Sequence, residues 1–246
     1  MRAVILAVGA SVRLSSLNDN RPKCMLEIGN RSLIEHQLHA LQNVGVKEVI
    51  IVVGYRKEMI QKKLGYLFLN IRVMYIENPI YRETNTMYSL WLARNYFKKH
   101  DFIFLNADLL FHVDVLKRLV DSKYDTCLAV DKKVCGEEEV KVITDSNSLI
   151  RHIGKELPLD RAEGEFIGVA KFGRSDNKTF IEKLDRCIRD GRGNEFFELA
   201  IQEMIGESRI YEVDVSDLPS IEIDFPEDLK IARDEVYLKI LRMSKF

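Results

Sequence analysis

At 246 residues the chain can bury a sizeable core and still form one α/β domain. Its 37 basic and 38 acidic residues leave a formal charge of −1, which excludes a strong overall pull toward nucleic acid or an anionic membrane. A small soluble ligand is the expected partner.

In chain order, residues 3–6 and 49–53 are short apolar, β-branched runs ending in or near Gly, the pattern of parallel strands buried on both faces. Between them Leu33, Ile34, Gln37, Leu38 and Leu41 keep helical spacing behind Ser32, with Glu35 three residues on as a capping box. The pattern continues as a strand at 71–75, a helix at 87–96, a strand at 102–105 and a helix at 113–120. Such alternation predicts a Rossmann-like layered α/β fold with a mainly parallel central sheet. After Thr126 the rhythm changes to extended stretches at 126–130, 140–143, 149–153 and 166–172, read as antiparallel additions that make the sheet mixed. Helices follow at 179–188 and 195–205, strands at 211–215 and 221–223, and a last helix from Pro226. No repeat or linker divides the chain.

The four cysteines, Cys24, Cys127, Cys135 and Cys187, form no Cys-x-x-Cys pair and no His stands at zinc-site spacing, so free thiols in a reduced, cytoplasmic compartment are expected. No stretch approaches membrane-spanning length. The five histidines suggest no catalytic pair, and Trp91, Phe196 and Phe197 are read as core.

The sharpest local signal is Leu6-Ala7-Val8-Gly9-Ala10-Ser11-Val12-Arg13-Leu14, followed by Arg21-Pro22-Lys23. A strand running into a Gly-containing loop offers backbone N–H groups to phosphate, and Arg13 and Lys23 add the positive charge a triphosphate requires. The bland alternative is a tight turn with two solvated cations.

These residues resemble the opening of the nucleotidyltransferases that act on sugar phosphates and related alcohol phosphates, Leu-Ala-Ala-Gly-x-Gly-x-Arg-Leu and then Pro-Lys. The chain departs from it at Val8 and at Ser11, which replaces the second Gly. The resemblance runs on through Cys24 to Gly29, through Asn106-Ala107-Asp108 and through Glu222-Ile223-Asp224-Phe225-Pro226. It implies one domain over 1–246, with a nucleotide part over 1–125, an acceptor part over 126–225 and a closing helix over 226–246. It further implies that Asp108 and Asp224 bind Mg2+, and that Leu6, Ala7, Gly9, Ser11, Arg13, Lys23 and Asp108 contact the triphosphate. Asn85 and Ser89, ahead of and within an apolar helix, look most like the version found in cytidylyltransferases for phosphorylated alcohols, so CTP is the implied nucleotide. Lys155 and Glu165 fall in the acceptor-side motifs.

The expected activity is therefore transfer of a nucleoside monophosphate to a phosphorylated sugar, polyol or amino alcohol. A sugar-1-phosphate enzyme using UTP, dTTP or GTP, and a non-catalytic nucleotide sensor or assembly protein of the same fold, stand as alternatives. The plain readings of the acids also stay open: Asp108 as a turn residue, and Asp224 with Pro226 as a helix start. A Rossmann oxidoreductase is disfavoured, because only Gly9 of its three loop glycines is present.

Overall fold

The computed structural model of the chain describes residues 1–10, 12–14 and 20–244. Strand β1 (Arg2–Ala7) shows why the core has two sides. Ala3, Ile5 and Ala7 enter one buried cluster and Val4 and Leu6 another, as the period of two in a strand dictates. Two short strands, β2 (Glu27–Ile28) and β3 (Arg31–Ser32), then pair as a hairpin. Helix α1 (Leu33–Asn43) starts as the spacing predicts, with the Ser32 backbone N–H donating to Glu35 at 2.8 Å. β4 (Glu48–Val53) repeats the alternation of β1 and lies parallel to it.

Helix α2 (Lys57–Leu64) is not expected from the pattern. It is largely charged, its N-cap Arg56 is left-handed at φ 46°, and it buries only Ile60 and Leu64. The chain continues through β5 (Leu67–Phe68), β6 (Ile71–Glu77), α3 (Thr86–Phe97), β7 (Phe102–Asn106), β8 (Leu109–Phe111) and α4 (Asp114–Asp121). The later half adds β9 (Thr126–Asp131), β10 (Lys141–Thr144), β11 (Ile150–Gly154), β12 (Gly164–Phe172), α5 (Asn177–Arg189), α6 (Glu198–Met204), β13 (Ile210–Asp214) and β14 (Ser220–Glu222). It closes with α7 (Pro226–Ile231), a π-helical turn at Ala232–Val236, and α8 (Tyr237–Met243).

The main sheet runs β11-β10-β12-β7-β1-β4-β6-β5, with β9 paired to β12 and to β13. β7, β1, β4 and β6 are mutually parallel, and β12 is antiparallel to β7, β9 and β10, as the change of rhythm after Thr126 predicts. Helices α1, α2 and α4 cover one face, and α3, α5 and α6 the other. On the second face Phe97, Phe102, Phe172 and Phe180 stack at centroid spacings of 4.2, 4.8 and 4.6 Å.

A smaller apolar cluster, including Leu14, Leu26, Leu33, Ile223 and Leu229, ties the end of the first loop to the C-terminal helices. It brings the two ends of the sequence together beside β8. The four cysteines are free and buried. Among the described residues no helix is long and apolar enough to cross a membrane.

Candidate active site

The site is built around the turn after β7. Buried Gln37 on α1 donates to the carbonyl oxygens of Asn106 and Leu109, at 2.8 and 2.9 Å, and so clamps the turn that carries Asp108. β8 then pairs antiparallel with β14, setting Leu109 opposite Glu222, while the Ile223 backbone N–H donates to the Asp108 carbonyl at 3.1 Å. That register draws the second acidic motif onto the first. Asp228 fixes the start of α7 by accepting from the Asp224 and Phe225 backbone N–H groups, at 2.9 and 2.8 Å. Asp108, Glu222 and Asp224 consequently hold carboxylate oxygens within 4.8 Å of one another.

Lys23, in a 3₁₀ turn after Pro22, donates to Asp108 at 2.8 Å and also to Asp224. Burial alone would lower the Lys23 pKa, but the two carboxylates outweigh it and hold the ammonium above its ordinary range. Enclosure in the cavity, although Glu222 remains open to solvent, together with the charges of Asp108 and Asp224, raises the Glu222 carboxyl. Asp108 Oδ1 is buried with no hydrogen-bond partner among the described residues. Three oxygen donors, one of them unsatisfied, suit a hard divalent cation of the magnesium type. The sequence motifs do not single out Glu222. Its signal is there, since two residues before Asp224 on an extended chain is the same face.

A cavity of about 1090 Å³ opens over these carboxylates. This reaches the upper end of the roughly 300–1,000 Å³ typical for one small ligand, so a nucleotide and a second small molecule can share it. Leu6, Gly9, Arg13, Asn85, Ser89, Asp108, Asp224, Lys155 and Glu165 all line it. A Cβ at Gly9 would meet no atom of the described residues within 4 Å, so the loop backbone there is open to them. Arg13 lies over the Phe225 ring, 4.8 Å from its centroid. Ala7 instead packs into the core on the opposite side of β1, and Lys23 reaches the site through its carboxylate partners. Ser11 lies outside the described residues.

Asn85 caps α3 by accepting from Thr86 N at 2.8 Å, and Ser89 is buried, donating to the Asn85 carbonyl and accepting from Asn78. The capping and lining roles therefore coexist in Asn85. Lys155 sits 4.7 Å from the Phe196 ring centroid and 3.8 Å from Glu138. Glu165 pairs with Lys133 at 2.7 Å, and burial outweighs that lysine and raises its carboxyl.

Phe196 departs from its reading as core: it is 40 % exposed and lines the cavity, whereas Phe197 is fully buried. The helix expected from residue 195 starts at Glu198, because the preceding turn is held to α3 through Met87 N donating to Glu195 O and Phe197 N donating to Thr86 Oγ1. That displacement frees Phe196 to face the cavity and buries Glu198 in its wall, a residue the sequence motifs do not mark.

CTP:phosphoglutamine cytidylyltransferase of Campylobacter jejuni is 29 % identical over 255 residues, covering 94 % of this chain and 98 % of that protein. Choline-phosphate cytidylyltransferase of Streptococcus pneumoniae is 26 % identical over 216 residues, covering 87 % of each. In fold, the inositol-1-phosphate CTP transferase from T. maritima matches with a TM-score of 0.78 at 24 % identity, over 97 % of this chain and 95 % of the other. The family model of the MobA-like NTP transferase domain matches residues 3–175, and the chain belongs to that family.

Proposed function

We propose that the chain transfers a cytidylyl group from CTP to the phosphate of a small phosphorylated metabolite and releases pyrophosphate. The convergence of Asp108, Glu222 and Asp224, bridged by Lys23, on the wall of one large cavity carries this reading. Asp108, Glu222 and Asp224 would hold magnesium, which when bound supplies charge neutralisation at a triphosphate. Arg13 and Lys23 present cations to the same phosphates, and the open backbone at Gly9 offers N–H groups.

The acceptor's phosphate oxygen forms the new bond to the α-phosphorus. The bond from that phosphorus to the bridging oxygen breaks, and its electron pair leaves with pyrophosphate. An acceptor phosphate is already anionic, so no general base is required, and positioning and charge stabilisation dominate. Lys155, on the wall of the same cavity, orients the acceptor phosphate.

The choice of CTP is supported by the cytidylyltransferase relatives and by Asn85 and Ser89 at the head of α3, within reach of a base or ribose in the cavity. Phosphorylated polyols, sugars and amino alcohols form the acceptor class. The test is pyrophosphate release by the purified chain with magnesium, CTP, UTP, dTTP or GTP, and a panel of those acceptors. Release with CTP well above the other triphosphates is expected; release with UTP, dTTP or GTP above CTP would reassign the nucleotide.

A further inference from the structure

The acceptor end of the cavity contains one buried group that the transfer reaction does not use. Glu198, the first residue of α6, is 5 % exposed and lines the cavity, and its Oε2 has no hydrogen-bond partner among the described residues. A buried carboxylate oxygen left without a donor is costly and is retained where a ligand supplies the donor. The two lysines that line the cavity do not fill that role. Lys133 pairs with Glu139 and Glu165 at 3.3 and 2.7 Å, and Lys155 lies 3.8 Å from Glu138 and over the Phe196 ring. Lys155 acts on Glu198 through space. That wall of the cavity therefore keeps a buried acceptor oxygen without a donor among the described residues.

Resting on the transferase reading for the location of the acceptor, we propose that Glu198 selects an acceptor carrying a protonated amine, which donates an N–H to Glu198 Oε2. An ammonium supplies both the donor that the oxygen lacks and a charge opposite to that of the carboxylate. A hydroxyl supplies only the first, and a quaternary ammonium only the second. The exposed Phe196 face beside Glu198 packs against the short carbon chain joining amine and phosphate.

The test is calorimetric binding at pH 8, where Glu198 is ionised, of O-phosphoethanolamine and of 2-hydroxyethyl phosphate, which share length and phosphate and differ at the head group, to the wild-type chain and to Glu198→Gln. The wild type is expected to bind the amine about tenfold more tightly, the order of one charge-assisted hydrogen bond over a neutral one. Glu198→Gln is expected to bring the two within about twofold while leaving the hydroxyl ligand's affinity nearly unchanged. Equal binding, tighter hydroxyl binding or no measurable binding of either in the wild type overturns the proposal, as does an undiminished preference in Glu198→Gln. The wild-type ratio decides alone should the variant fail to fold. If the amine preference holds and no triphosphate yields pyrophosphate, the transferase reading falls and the amine subsite stands.

Discussion

Lys23 and Asp224 are 201 positions apart in the chain and ion-paired in the fold, with Asp108 on the same ammonium at 2.8 Å. One cation thus ties the first loop, the turn after β7 and the start of the C-terminal helices. Removing it leaves two carboxylates facing each other without compensation. Lys23→Met is expected to lower stability by about 1–3 kcal/mol, below the value for a fully buried pair, because Asp224 is 45 % exposed. In a chain of this size that is a fall of several degrees, at about 2–4 °C per kcal/mol. Magnesium chloride is expected to restore more of the melting temperature in Lys23→Met than it adds to the wild type. An equal magnesium effect in both would detach Lys23 from the cation site.

Asp108→Asn and Asp224→Asn are each expected to reduce turnover by about a hundredfold or more, the scale seen when one preorganised charge contact to a transition state is lost. Circular dichroism should remain that of the wild type. Glu222→Gln is expected to act chiefly on the magnesium concentration needed for half-maximal rate, raising it about tenfold or more. Near-normal rates at saturating magnesium in either Asp variant would remove that residue from the ligand set.

The short continuous apolar runs of β1 and β4 are enough to foresee a parallel sheet buried on both faces, and the change of rhythm after Thr126 foretells the antiparallel strands. Helix α2 is illegible, because a mostly charged segment with two buried side chains has little periodicity to read. Gly9, Lys23, Asp108 and Asp224 are marked by their motif resemblance, and the fold brings Lys23, Asp108 and Asp224 into one ion-paired group. Glu222 is readable only from its strand parity with Asp224, a weaker signal than a motif. Glu198 cannot be read at all: a Glu in the first turn of a helix usually faces solvent and favours the helix dipole. Its burial stems from the turn that binds Phe197 N to Thr86 Oγ1, a contact across 111 positions.

Glu198 also gives the fold a pH signature. Burial raises its carboxyl from 4.5 to about 7. Between those values the unfolded chain has released the proton and the folded chain keeps it, so stability falls as pH rises through the window, by at most about 3 kcal/mol. Glu198→Gln removes this loss. Its melting temperature is expected to exceed the wild type's by several degrees at pH 8 and by little at pH 4.5. A difference independent of pH would show that Glu198 ionises in the fold as freely as in the unfolded chain.

Phosphocholine is expected to be a poor acceptor. A quaternary ammonium binds the faces of aromatic rings. In this cavity the Phe196 ring is met by Lys155 at 4.7 Å and the Phe225 ring by Arg13 at 4.8 Å. The single Trp, Trp91, donates from its indole N–H to Asp185 at 2.7 Å and stacks on Tyr88. In competition at equal concentration with CTP and magnesium, a phosphorylated amino alcohol or polyol should show the higher kcat/KM. A higher kcat/KM for phosphocholine would point to Phe196 as the wall of a cation cage.

Phosphorus NMR of the chain incubated with CTP, magnesium chloride and the acceptor panel tests the transfer itself. The account predicts that the CTP signals decay while a diphosphate diester and pyrophosphate grow in equal amounts, and that both form more slowly, by about a hundredfold or more, when Asp108→Asn replaces the wild type. Unchanged CTP with every acceptor, or its conversion to CDP and inorganic phosphate, would contradict nucleotidyl transfer.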